Sequence, residues 1–166
     1  MTTGETRPPW WRGARGEWYV AAQLAFMGVV FFAPRTLPGL PAWNPSLARI
    51  FAILGALLML AGGSLLLAGL IRLGPHLTPL PYPGARARLI QSGPYRFVRH
   101  PMYSGGVVLA YGWALLVHGW LTLLYATVLF VFLDIKSRRE ELWLAERFPE
   151  YGDYQRRVRK LIPFIY

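Results

Sequence analysis

Residues Ile50–Ile71 read IFAILGALLMLAGGSLLLAGLI, an uncharged apolar run held between Arg49 and Arg72. A helix needs about 20 such residues to cross the hydrocarbon of a bilayer. This run is long enough, and its length argues against a buried helical hairpin in a soluble bundle. Gly55, Gly62, Gly63 and Ser64 lie within it, and small residues let a second helix approach closely. The run sets the expected class: an all-α integral membrane protein.

Three further apolar runs lie on either side of it. Trp18–Pro34 sits between Glu17 and Arg35, a run from about Tyr103 to Val117 follows later, and Trp120–Leu133 is closed by Asp134. The last two are short, about 22 Å each by helical rise. Only His118 and Gly119 separate them, so they read as an antiparallel hairpin turning at the far membrane face. The expectation is about four transmembrane helices, with the third and fourth forming this hairpin, followed by a C-terminal interfacial helical tail. At 166 residues the chain reads as one domain. Residues 1–17 form an N-terminal arm, 18–71 two spans, and 72–166 a catalytic core. The arm is polar and carries no signal-peptide pattern.

Composition agrees. Hydrophobic residues make up 54% of the chain and charged residues 16%, and the mean hydropathy is +0.31. A soluble domain this small would be left with a large exposed apolar patch. There is no cysteine, which rules out disulfides, thiolate metal sites and a cysteine nucleophile. No metal-ligand spacing, phosphate-binding glycine loop or Ser-His-Asp arrangement is present. The net charge of +10 raises nucleic acid as a partner, but its distribution argues against one. Of 18 Lys and Arg, all but Arg35 and Arg49 fall in the arm, in Arg72–Arg99, or from Lys136 onward. With four spans these tracts share one side, which the positive-inside rule makes cytoplasmic. Both termini and the active site are expected there. Trp18, Trp43, Trp120 and Tyr103 sit near the expected interfaces, as aromatic belts do.

Candidate chemistry gathers on that side. Residues 92–106 read SGPYRFVRHPMYSGG. Pro101 suits the first turn of a helix, whose N-terminus carries free N–H groups and a partial positive charge. Arg99 and His100 stand beside it as donors. Glu140 and Glu141 lie just past the fourth span. Alone they read as a solvated helix face, but the hairpin brings them to the patch of Arg99 and His100. Phe148, Tyr151, Tyr154, Arg156, Arg157 and Arg159 form either an interfacial helix or a cofactor lid. His76 and His118 are isolated, His118 as a turn residue on the far side.

GPYRFVRHPMYSG, followed after a short hairpin by REELWLAERFPEYGDYQRRVRKLIPFI, resembles the isoprenylcysteine carboxyl methyltransferase family and the related phospholipid methyltransferases. LGPHLTPLP before the motif also resembles bacterial members. The resemblance covers residues 70 to 165. It implies an S-adenosylmethionine site on the cytosolic side without a Rossmann domain, and a lipid-attached or lipophilic small-molecule substrate. His100, Pro101, Tyr103 and Glu141 would bind the cofactor, with Gly93, Pro94 and Tyr95 shaping the turn beneath. Arg99, Glu140 and Glu141 would be catalytic. One departure stands out: the family has Phe-Gly and then Tyr four residues after the Phe, whereas Phe148 is followed by Pro149 and Tyr151. The tail is expected to break differently there. Two other readings stand beside this one. Sterol reductases, which use NADPH, carry a similar Arg-His-Pro-x-Tyr string, and a non-catalytic membrane scaffold would need no such site.

Overall fold

The computed structural model describes residues 15–77, 80, 82, 88–163 and 165–166. The N-terminal arm up to residue 14, and Pro79, Pro81, Pro83 and Gly84, which with other prolines and glycines are expected to bar a regular helix through the middle of Arg72–Met102, lie outside the described residues. Among the described residues the chain is all-helical. It comprises α1 (Glu17–Phe32), α2 (Pro45–Leu73), α3 (Pro101–Leu116), α4 (Trp120–Arg147) and α5 (Tyr151–Arg157), with short 3-10 turns at Gly74–His76 and Gly93–Arg96. α2 and α4 are long and apolar enough to cross a membrane by length and composition. α1 and α3 are shorter, at 16 residues each.

α2 starts earlier than its apolar run. Asn44 caps it, its side chain accepting the Ser46 N–H at 2.9 Å, and Pro45 takes the first helical position, where its missing N–H costs nothing. α2 reverses the usual pattern of a soluble helix. Its buried residues are Gly55, Gly62 and Gly69, while Ile53, Leu57, Leu60, Leu67 and Ile71 are exposed. In water that surface would be a large apolar patch, whereas lipid covers it at no cost.

The buried glycines form a seam with α3. A Cβ at Gly55 would lie 2.6 Å from the Gly112 carbonyl, and one at Gly62 would lie 2.7 Å from that of Gly105. At Gly69 a Cβ would meet Met102 and Pro101. The helices therefore run antiparallel, backbone against backbone. The sequence expectation needs correction here. Gly63 meets only Leu109 at an ordinary 3.9 Å and Ser64 is exposed, so neither builds the seam. The small residues recur every seven positions, as a long-running helix contact requires.

On the other side, α1, α3 and α4 enclose an apolar core of Val30, Ala110, Ala126, Leu129 and Leu133, backed by Phe26 and Phe132. The hairpin turn is as expected. His118 takes a left-handed φ of 52°, and its Nε2–H donates to the Ala48 carbonyl at 2.8 Å. Trp43 packs against both His118 and Trp120. α4 ends at Phe148, whose extended backbone is what a residue before proline prefers.

Candidate active site

The apolar part of α4 ends at Leu133, but the helix continues to Arg147. This extension carries Glu140 and Glu141 beyond the span and alongside the start of α3. His100 is the N-cap of α3, yet its side chain makes no capping bond and turns to the glutamates instead.

Arg99 and Glu141 form a two-pronged pair. Nε donates to Oε1 at 2.7 Å and NH2 to Oε2 at 3.2 Å. NH1 donates to the carbonyls of Gln155, at 3.2 Å, and Val158. The Gln155 amide also donates to Glu141 Oε2 at 3.2 Å. Burial alone would raise the Glu141 carboxyl, but hydrogen bonds and charge from His100 and Arg99 outweigh it and bring the pKa down to about 2. Glu141 is therefore an ionised acceptor, so the His100 Nε2 that faces its Oε1 at 3.2 Å carries the ring proton. His100 Nδ1 is left 3.7 Å from Glu140 Oε2.

Glu140 sits in different surroundings. The Tyr103 hydroxyl donates to its Oε1 at 2.5 Å, and Lys136 Nζ stands 3.7 Å away. Burial pushes this carboxyl up, against the charges of His100 and Lys136. Two adjacent carboxylates are thus driven in opposite directions, an arrangement typical of acid–base chemistry. The Tyr103 ring stacks on His100, with planes 3° apart. Tyr103, expected both in an aromatic belt and among the cofactor-binding residues, stands in this cluster.

Gly93 takes a φ of 64° and opens the short turn through Pro94 and Tyr95. Tyr95 is buried, and burial, with Glu140's charge, pushes its hydroxyl up to about 12. Its carbonyl accepts from the Tyr154 hydroxyl at 2.6 Å.

The tail folds directly onto the motif despite its altered spacing at Phe148-Pro149. Val98 and Arg159 form a parallel backbone bridge. The Arg99 N–H donates to Arg159 O at 2.8 Å and the His100 N–H to Lys160 O at 3.1 Å. Ser104 Oγ reaches Leu161 O at 2.6 Å. Tyr151 and Tyr154 are buried beneath this pairing.

A pocket of about 200 Å³ opens here. Arg99, His100, Pro101, Tyr103, Tyr95 and Glu140 line it, while Glu141, Gly93 and Pro94 stand behind its wall. Lys136, His76 and Leu144 also line it and were missed from sequence, and Phe148, one of the residues read as an interfacial helix or a cofactor lid, lines it too. The signal for Lys136 and Leu144 was their spacing of four residues on either side of Glu140, one face of α4.

Residues 50–151 match the family described as phospholipid methyltransferase. The chain belongs to that family. The matched stretch runs from the first turns of α2 to the first residue of α5, so it includes both halves of the polar cluster. Two proteins of rice, from the subspecies indica and japonica, are each described as a probable protein-S-isoprenylcysteine O-methyltransferase. Each is 35% identical over 80 residues, which is 47% of this chain and 42% of the rice protein. The match therefore spans less than half the length of these relatives. Membership makes the chain one of a family of methyltransferases, whose reaction requires a methyl donor.

Proposed function

We propose that the protein transfers a methyl group from S-adenosylmethionine to a lipid-associated acceptor, at the cytoplasmic face of a membrane that α1–α4 all cross. Residues 72–166 are the catalytic core. The reading rests on one observation above all: the buried Glu141 and the partly buried Glu140 flank His100 beside a pocket at the membrane-exit end of α4. The short helices α1 and α3 span with local thinning of the bilayer, and the basic tracts then share one side.

The residues present fit the cofactor. It carries an ammonium, a carboxylate, a purine and a sulfonium. The pocket offers a carboxylate, Glu140, a cation, Arg88, and the aromatic faces of Tyr95, Tyr103 and Phe148. His100, Pro101, Tyr103 and Glu140 would hold it, above the turn shaped by Gly93, Pro94 and Tyr95. S-adenosylmethionine supplies an electrophilic methyl on a positively charged sulfur. Arg99 and Glu141 act by position, because their mutual bonds and those of Arg99 to the tail carbonyls fix the wall on which His100 and Glu140 stand. Nε2 of His100 is fixed on Glu141, which leaves Glu140 as the group able to take a proton from an amine or hydroxyl acceptor. A carboxylate acceptor would need no such transfer.

Calorimetric titration of S-adenosylmethionine and S-adenosylhomocysteine into detergent-purified protein, with NADPH as control, tests this. Saturable binding of the first two, lost in His100→Ala, is expected. Binding of NADPH alone would instead identify a reductase. Folded protein that bound none of the three would defeat the enzymatic reading.

A further inference from the structure

One stripe of α4 lines the pocket from the membrane outward, Lys136, Glu140 and Leu144, and Phe148, the residue that closes the helix, continues it. Successive members are about 6 Å apart along the helix. The stripe changes character as it rises, from cation to acid to apolar to aromatic. Lys136 is its lowest member, one turn past the end of the apolar span.

Lys136 is an unusual residue to bury. It is 4% exposed, and a lysine ammonium is rarely enclosed without a purpose. Gln23, the polar residue within the apolar run of α1, accepts from Nζ at 2.5 Å. Glu140 Oε1 stands at 3.7 Å, beyond hydrogen-bonding distance, and the Tyr103 ring lies 4.8 Å below the charge. An ammonium has three protons to donate, so Gln23 leaves donor capacity facing the cavity. Arg99 differs in this respect: all three of its nitrogens are engaged by Glu141 and the tail carbonyls.

We infer that Lys136, rather than Arg99, binds the acceptor, taking an oxyanion on its lipid headgroup at the membrane end of the pocket while the methyl donor occupies the Leu144–Phe148 end. An acceptor with its tail in the bilayer reaches Lys136 first, and Gln23 holds the ammonium in place from the lipid side. The oxyanion is a carboxylate if the acceptor is a lipidated cysteine, or a phosphate if it is a phospholipid. This inference rests on the proposed function, and the experiment separates the two.

Donor and acceptor binding are titrated separately into wild type, Lys136→Gln and Lys136→Arg. The acceptor probes are N-acetyl-S-farnesylcysteine, its carboxamide, and micellar phosphatidylethanolamine. Expected is a loss of tenfold or more in affinity for one oxyanion probe in Lys136→Gln, with unchanged S-adenosylmethionine affinity and recovery in Lys136→Arg. The probe that shows the loss names the source of the oxyanion. The wild-type comparison needs no variant: if the carboxylate is the ligand, the carboxamide binds at least tenfold more weakly. Oxyanion affinity that ignores Lys136→Gln, or donor affinity that falls equally with it, would overturn the inference while leaving the methyltransferase reading intact. Absence of donor binding in wild type would defeat the underlying reading instead.

Discussion

The two ends of the α3–α4 hairpin each set a histidine among aromatic rings with an arginine close by. At the far end, His118 donates to a backbone carbonyl, Trp43 packs on Trp120, and Arg35 lies over the Trp113 ring. At the near end, His100 faces a glutamate from each ring nitrogen, and Arg99 and Lys136 complete a row of buried opposite charges. Burying ions costs several kcal/mol each before their attraction is counted, and well-packed apolar side chains would serve stability as well. The far end shows that this chain can close a helical turn with no carboxylate at all. The charges of the near end are what the proposed chemistry needs.

That contrast can be tested by removing the same kind of group from each end. Glu140→Gln should lower methyl transfer to an amine or hydroxyl acceptor by about 10²–10⁴-fold, the usual worth of a positioned proton-transfer group, and His100→Ala should abolish donor binding, both with the melting temperature little changed. Turnover at saturating donor measures it, and near-normal rates would remove the distinction between the ends. Glu141→Ala should destabilise the site by about 3–5 kcal/mol, because Arg99 is left buried without its partner. Hydrogen exchange at the Arg99 and His100 amides, which the tail carbonyls protect, reports the loosening.

The same pair has an acid limit. Glu141 titrates at about 2 in the folded chain, against an ordinary 4.5. Its stabilisation is full above 4.5 and is lost as pH falls from there through 2. Acid titration of tail protection checks the sign, and Glu141→Gln should abolish that limb.

A smaller effect is expected in the seam between the two ends. Gly62→Ala places a Cβ against the Gly105 carbonyl and should cost about 1–3 kcal/mol, whereas Gly63→Ala should be neutral in thermal unfolding. Smallest of all, His118→Ala should cost about 1 kcal/mol, one hydrogen bond, and leave turnover unchanged. A large loss of activity there would show the far end to be coupled to the chemistry.

Much of this was legible in the sequence. Asp134 closes an apolar run and Gly119 opens one, so the hairpin could be drawn, and the hairpin joined Arg99 and His100 to Glu140 and Glu141. Other features depend on contacts between distant elements. The seam uses Gly69 rather than Gly63 or Ser64 because its register is set by Gly105 and Gly112 of α3, which a single helix does not reveal. Lys136 read as one more charge in a basic tract, and its burial follows from Gln23, 113 residues earlier. The pairing of Val98–His100 with Arg159 and Lys160 is too short to leave an alternating pattern. The start of α2 was readable from Asn44-Pro45, a cap followed by a helix-opening proline.

The clamp on Arg99 also fixes an order of events during synthesis. One of the carbonyls that Arg99 holds belongs to Val158, 59 residues downstream. At roughly 5–20 residues per second, a ribosome takes about 3–12 s to deliver it. α1 to α4 are all made before then, so they can pack while Arg99 still lacks its tail partners. The clamp closes last, when the tail folds back.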